Sequence, residues 1–201
     1  MKKISTPQTF IFFGRSGSGK GTQVEYLMKY LESNDSKKAK IIYIETGNLV
    51  REFAKNDSYS AKLSKEIIES GGLLPEFIPI WAWAEVMIKN ITGPEHLIIE
   101  GASRRISEAK VLKDALEFYK RDNIKVVYIN VSRDWAVERL LARKRKDDSL
   151  SGITQRQDWF DQNVIPAIEF FKRTDGINFI DVKGEQSREK VHADLVKAAF
   201  E

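Results

Sequence analysis

Cysteine is absent from the 201-residue chain, which excludes disulfides, thiolate zinc sites and thiol nucleophiles at the outset. Histidine is almost as scarce. His96 and His192 stand apart from any companion ligand or nucleophile and are assigned no role. Long apolar runs are missing too: the stretch Phe77 to Ile88 is interrupted by Pro79 and Glu85, short of the roughly 18 to 20 apolar residues that span a bilayer. Two N-terminal lysines precede only the run Phe10 to Phe13, which ends in a glycine loop and not in a cleavage site, so no signal peptide is expected. A strong charge of one sign is lacking as well, since 33 Lys and Arg against 29 Asp and Glu leave a formal charge of +4. That balance argues for neither nucleic acid nor a membrane as partner. Repeats, low-complexity tracts and long polar linkers are also missing. The expectation is a single domain, 1–201, monomeric and cytoplasmic, with room for a substantial core.

What is present alternates. Short apolar runs at Thr9 to Phe13, Lys40 to Ile44, His96 to Ile99, Lys125 to Val131 and Ile177 to Val182 read as five strands. Helical spacing separates them at Lys20 to Glu32, twice within Asn48 to Ser70, and at Glu76 to Asn90, Ser107 to Arg121, Asp134 to Lys146, Thr154 to Arg173 and Ser187 to Phe200. Apolar strands joined by helical crossovers predict an α/β fold, a five-stranded parallel sheet with helices on both faces. Two intervals break the rhythm. Several helices between strands two and three read as an inserted lobe, 46–90, and the charged stretch Lys144 to Gly152 reads as a short flap. The core is then 1–45, 91–143 and 153–201.

The first strand runs into Gly14-Arg15-Ser16-Gly17-Ser18-Gly19-Lys20-Gly21-Thr22, the spacing G-x-x-x-x-G-K ahead of a helix. Glycines let successive backbone N–H groups point inward, so amides and the positive end of the helix hold a polyphosphate. Lys20 then reaches the β and γ oxygens as a point charge. A glycine-rich turn with an incidental lysine is the plain alternative, and the strand before, the helix after and Thr22 in its first turn weigh against it. In the generic P-loop a Ser or Thr follows the Lys directly, whereas here Gly21 intervenes.

That departure narrows the family. Residues 14 to 23 resemble the opening signature of adenylate kinases and their nucleotide kinase relatives, and further blocks match in order. Glu45-Thr46-Gly47-Asn48-Leu49-Val50-Arg51-Glu52 resembles a block whose Thr and Arg contact the acceptor monophosphate, and Gly72-Leu73-Leu74-Pro75-Glu76 a turn against the acceptor base. Glu100-Gly101-Ala102-Ser103-Arg104 stands where the family has Asp-Gly-Phe-Pro-Arg, which implies Arg104 on the acceptor phosphate. Arg139, Arg143, Arg145 and Arg156 resemble the phosphate-binding arginines beside the lid, 144–152. The resemblance covers essentially the whole chain.

It implies transfer of the ATP γ-phosphoryl group to a nucleoside monophosphate, AMP first, in a P-loop NTPase-type fold. ATP falls to Gly17, Ser18, Gly19, Lys20, Gly21, Thr22, Arg139, Arg143 and Gln186, and the acceptor to Thr46, Gly47, Arg51, Gly72, Leu73, Leu74, Gly101, Arg104, Glu108, Arg145 and Arg156. Lys20 and the arginines 104, 139, 143, 145 and 156 form the catalytic set. Mg²⁺ is expected with ATP, held through water by Glu100, with no zinc.

Phosphoryl transfer itself asks for this inventory, because charge spreads over the equatorial oxygens and the protein supplies alignment and positive charge. Arg139 and Arg143, four apart, share a helix face. Their plain alternative is a solvated surface. Asp147 and Asp148 read either as a hydrated turn or as partners of nearby arginines that hold the lid closed. The run Arg143 to Lys146 is too short, and too soon followed by acid, for a nucleic-acid patch. Trp81 and Trp83 read as packing for the insert.

Three departures mark the acceptor side. Glu100 replaces an Asp, Ala102-Ser103 replaces Phe-Pro, and Glu108 stands where the family carries a Gln that reads adenine. A carboxylate cannot donate to adenine N1, so GMP, CMP and UMP stay open as acceptors. Glu108 either faces the base or pairs with Arg105 three residues before it. A nucleotide sensor that has lost transfer would explain the altered Glu100 block but not the retained arginines, and a shikimate-type kinase would lack the Thr46 to Arg51 block.

Overall fold

A computed structural model describes residues 3–143 and 149–201. Five parallel strands, β1 (Thr9–Phe13), β2 (Ile41–Glu45), β3 (His96–Glu100), β4 (Ile124–Asn130) and β5 (Ile177–Lys183), lie in the order β2-β3-β1-β4-β5. The α/β class read from the sequence is the observed one. β1 is buried along its whole length, as a central strand covered on both faces must be.

Its side chains divide by the period of two. Phe10 and Phe12 join Val24, Leu27 and Leu195 on one face, while Ile11 and Phe13 join Trp83, Met87, Leu112 and Phe171 on the other. The first group packs under α1 (Lys20–Asn34) and α9 (Arg188–Phe200). The second packs under α4 (Phe77–Asn90), α5 (Ile106–Phe118) and α8 (Ile165–Lys172). Between β2 and β3 come α2 (Thr46–Phe53), α3 (Tyr59–Glu69) and α4, and a small apolar cluster of Val50, Leu74, Ile78 and Ala82 binds α2 to α4. The Ser58 hydroxyl starts α3 by accepting from Ala61 N at 3.2 Å. Pro79 is tolerated because it falls in the first turn of α4, where a missing N–H costs no ladder bond.

Two helices differ from the sequence reading. α5 stops at Phe118, and Lys120 and Asn123 turn the chain with φ of 50° and 54°. Arg121 therefore leaves the helix and donates to the carbonyls of Gln8, Gly93 and Glu95. The expected helix Thr154 to Arg173 is three pieces: α7 (Leu150–Trp159), a π-helical turn Phe160–Val164, and α8. Pro166 lies in the first turn of α8, where it can donate no bond to the preceding turn, and the ladder changes step just ahead of it.

Of the flap expected over Lys144 to Gly152, only 149–152 lie among the described residues. Ser149 Oγ accepts from Gly152 N at 3.1 Å and begins α7 at Leu150. Residues 144–148, the rest of that segment, lie outside the described residues, as do Arg145, Asp147 and Asp148. α6 spans Arg133–Arg143. Among the described residues no helix is long and apolar enough to cross a membrane.

Candidate active site

Parallel strands point their C-terminal ends one way, and ligands of such sheets bind beyond that edge. Phe12 pairs with Glu100, and Glu45 with Glu100, so the glycine loop and two carboxylates emerge together. A cavity of about 690 Å³ opens there.

Its floor is the glycine loop. Gly17 has φ of 90°, and a Cβ there would stand 2.7 Å from Ala136 O and 3.0 Å from Leu140 Cγ. The loop can press against α6 only without a side chain at this position. Gly19, also at φ 90°, leads into α1 without a side-chain cap, which leaves the first N–H groups of α1 without intrahelical partners at its positive end. Lys20 folds back over the loop. Its Nζ donates to Gly14 O at 3.0 Å and Arg15 O at 3.1 Å and lies 3.8 Å from Glu100 Oε1.

Glu100 is tethered from the neighbouring strand, where Tyr43 OH donates to its other oxygen at 2.9 Å. Burial first, and then the Glu100 charge, raise the Tyr43 phenol far above its ordinary range, so it stays a donor. An Asp could not extend as far toward Tyr43, and the longer carboxylate finds a fixed place there. Thr46 and Gly47 open α2 beside it, with Thr46 buried and its hydroxyl lacking a hydrogen-bond partner among the described residues.

Arg51 donates to Glu45 at 3.1 Å. Arg51 and Arg104 converge over Gly47, since a Cβ there would lie 3.1 Å from Arg51 Nη1 and 3.7 Å from Arg104 Nη2. Loss of water around the Arg104 guanidinium lowers its proton affinity, Arg51 and Arg156 lower it further, and Glu108 and Glu100 oppose them. Its side chain nonetheless keeps access to solvent and stays charged. Gly72, Leu73 and Leu74 close the wall from the turn before α4, which Arg105 Nη1 braces by donating to Leu74 O at 3.0 Å.

Arg139 reaches the cavity from α6 with its guanidinium 3.9 Å over the Trp135 ring, and Arg156 reaches it from α7 with Nε donating to Gly152 O at 3.1 Å. Arg143 closes α6 in sequence, and its side chain is outside the described part of the molecule. Ser18 is buried behind the loop, while Gly21, Thr22 and Gly101 line the cavity directly.

Glu108 lines the cavity but takes the pairing that the sequence reading gave as its alternative, and Gln186 lies off the cavity. Glu108 is buried, 1% exposed, with Oε2 accepting from Arg104 N at 2.5 Å and Oε1 facing Arg105 Nη1 at 3.4 Å. Both oxygens are engaged by the start of its own helix, which is the pairing alternative and not a carboxylate held open to a base. Burial raises its proton affinity and these N–H groups partly restore it. Gln186 is not among the residues lining the cavity, and its amide donates to Lys183 O at 2.8 Å and Asp194 at 3.2 Å.

Glu45, Arg105, Trp159 and Phe160 line the cavity and Tyr43 bonds to Glu100, although the sequence reading assigned none of them to the site. Only Glu45 sits in a motif block, and nothing in the spacing marks the others. Trp83 is packed in the core and Trp81 stands edge-on to Phe53. His96 is buried against Asp35 and Gln8 N, away from the cavity. Among the described residues, no group of three or more His, Asp or Glu gathers as a metal cage. A cation here would depend on single carboxylates and on substrate oxygens, as Mg²⁺ characteristically does.

The adenylate kinase family model matches residues 12–176. The chain is similar to adenylate kinase 1 of Nostoc sp., 28% identical over 185 residues that cover 92% of this chain and 95% of that one. It is 29% identical to the adenylate kinase of Prochlorococcus marinus over 176 residues, 87% and 90% of the two chains. The adenylate kinase of Azobacteroides pseudotrichonymphae matches at 29% over 189 residues, 92% and 93%.

Proposed function

The chain belongs to the adenylate kinase family and is a nucleoside monophosphate kinase, and we propose that it converts MgATP and AMP reversibly into two ADP. The observation that carries this reading is that one cavity is lined both by the glycine loop with Lys20 and by Thr46, Arg51 and Arg104. The relatives, named as adenylate kinases over nearly their full length, favour AMP.

ATP lies with its phosphates on the N–H groups of Gly17 to Thr22, and Lys20 leaves the loop carbonyls to meet the oxygens between β and γ. Its charge acts most where negative charge concentrates in transfer. Arg51 and Arg104 clamp the acceptor phosphate, each able to offer two parallel N–H groups. Arg139 and Arg156 neutralise the transferring group, with Arg143 and Arg145 assigned to the same task. Mg²⁺, when bound, would supply positive charge to offset that of the phosphates. Glu100 fits the outer sphere of such a cation, its carboxylate bordering the cavity beside Lys20 and steadied by Tyr43.

In this reading 46–90 is the acceptor-binding insert and 144–152 the lid, and both close over the core, 1–45, 91–143 and 153–201, to exclude water. The protein acts as a cytoplasmic monomer. Incubation with MgATP and each nucleoside monophosphate in turn tests the acceptor. AMP should give the highest kcat/KM with two ADP per turnover, and a higher value with GMP, CMP or UMP would overturn AMP as the substrate.

A further inference from the structure

Arg15 shares the glycine loop with Lys20, and no step of the transfer uses its side chain. It occupies a variable position of the motif, between Gly14 and Ser16, where nothing in phosphate binding asks for an arginine. Its guanidinium reaches instead to groups 142 and 146 residues further along the chain. Nη2 donates to Asp161 Oδ1 at 2.5 Å, Nη1 to Gln157 Oε1 at 3.4 Å, and the guanidinium carbon stands 4.6 Å over the Phe160 ring. Gln157, fully buried, answers by donating Nε2 to Ser16 O at 3.3 Å. Two successive loop residues are thus fastened to the end of α7 and to the π-helical turn that follows it.

The fastening has a cost. Among the described residues Arg15 Nε is buried without an acceptor, and an ion pair whose Asp161 side chain is 37% exposed adds little stability by itself. Its place suggests another use. Arg156 immediately precedes Gln157 on α7 and lines the cavity, while the Arg15 carbonyl accepts from Lys20 Nζ. One residue therefore touches Lys20 with its backbone and, with its side chain, holds the helix that presents Arg156. Phe160 adds a second brace by stacking on Tyr128 of β4, with ring centroids 6.4 Å apart.

We propose that Arg15 is a positioning residue for phosphoryl transfer, tying α7, and with it Arg156, to the loop that carries Lys20. This rests on the catalytic role proposed for Arg156. A misplacement of about 1 Å at a phosphate-binding group can cost on the order of a hundredfold in rate, whereas substrate affinity, spread over many contacts, is less sensitive.

Arg15→Ala should therefore lower kcat by roughly ten- to a hundredfold while changing KM for ATP and AMP by less than about threefold. Arg15→Lys, which can keep the Asp161 pair but cannot also reach Gln157, should fall between. The deciding measurement is a double-mutant cycle with Arg156→Ala: removing Arg15 from a protein that already lacks Arg156 should change kcat by less than about threefold. If Arg156→Ala alone leaves turnover unchanged, the role proposed for Arg156 fails and this inference falls with it. If Arg156→Ala does lower turnover but the two losses multiply, or Arg15→Ala raises only KM, the positioning role alone is overturned. Should Arg15→Ala fail to fold, Asp161→Asn, equal in size and without charge, enters the same cycle and is judged by the same outcomes.

Discussion

The glycine loop and the acceptor wall border one cavity, yet they are built differently. The loop is a single run, Gly14 to Thr22, whereas Thr46, Arg51, Leu74, Glu100 and Arg104 arrive from α2, the turn before α4 and the end of β3. In the loop, backbone conformation does the work, and it is imposed locally by glycine. On the wall, side chains do the work, and several are braced by a neighbouring group: Arg51 by Glu45, Arg105 by Leu74 O, Glu100 by Tyr43. A change in the loop should act on rate or backbone fit directly. A change on the wall should act through what the lost partner was holding.

Lys20→Ala offers the largest effect and sharpens the contrast most. Turnover should fall about 10³-fold or more with the fold retained, since Lys20 Nζ lies at the cavity against loop carbonyls and Glu100, outside the apolar core. Steady-state kinetics beside a thermal melt checks this, and a well-folded variant with near-normal rate would contradict the catalytic role of the loop. Gly17→Ala comes next, as a cost in stability. A Cβ 2.7 Å from Ala136 O on a backbone at φ 90° should destabilise by about 2 to 3 kcal/mol in a denaturant titration. An unchanged midpoint would show that the loop can part from α6.

Tyr43→Phe tests the wall. It removes one hydrogen bond onto Glu100, worth about 1 kcal/mol. If Glu100 serves Mg²⁺, the Mg²⁺ concentration for half-maximal rate should rise about fivefold, with little effect at saturating Mg²⁺. A shift as large as that of Lys20→Ala would mean that Tyr43 does more than hold Glu100.

Glu108→Gln should have the smallest catalytic effect. With both oxygens engaged by Arg104 N and Arg105, the AMP to GMP ratio of kcat/KM should move less than about twofold, not the tenfold expected of a base-reading residue. The pH dependence provides a second readout. Burial leaves the folded-state pKa of Glu108 raised, so between its unfolded and folded values the native state holds more of the proton, and stability from this group falls as pH rises through that window. Glu108→Gln should remove that decline from an acid-side series of unfolding measurements. A large change in the acceptor ratio, with the pH series unaltered, would return Glu108 to the base.

The strands were legible because each is a short apolar run between breakers, and the structure shifts their ends by only a residue or so. Helix ends were less so. Nothing periodic in Thr154 to Arg173 announces the π-helical turn ahead of Pro166, and Arg121 keeps helical spacing although its side chain is drawn off by carbonyls near β1 and β3. Within the site, Lys20, Thr46 and Arg104 were readable because their motifs are local. Arg15 and Tyr43 were not, since Asp161 and Glu100 lie 146 and 57 residues away from them.

By itself, then, the sequence determined the alternation of strands and helices, the glycine loop with its lysine and the family of the chain. These depend on properties of neighbouring residues: side-chain period, the conformations that only glycine adopts, and fixed motif spacing. Tertiary structure alone decided which acids and bases became partners. Whether Glu108 reads a base or holds the start of α5, and whether Arg15 meets phosphate or Asp161, depends on which groups lie within about 3 Å when distant segments pack. Hydrogen bonds weaken steeply beyond that reach.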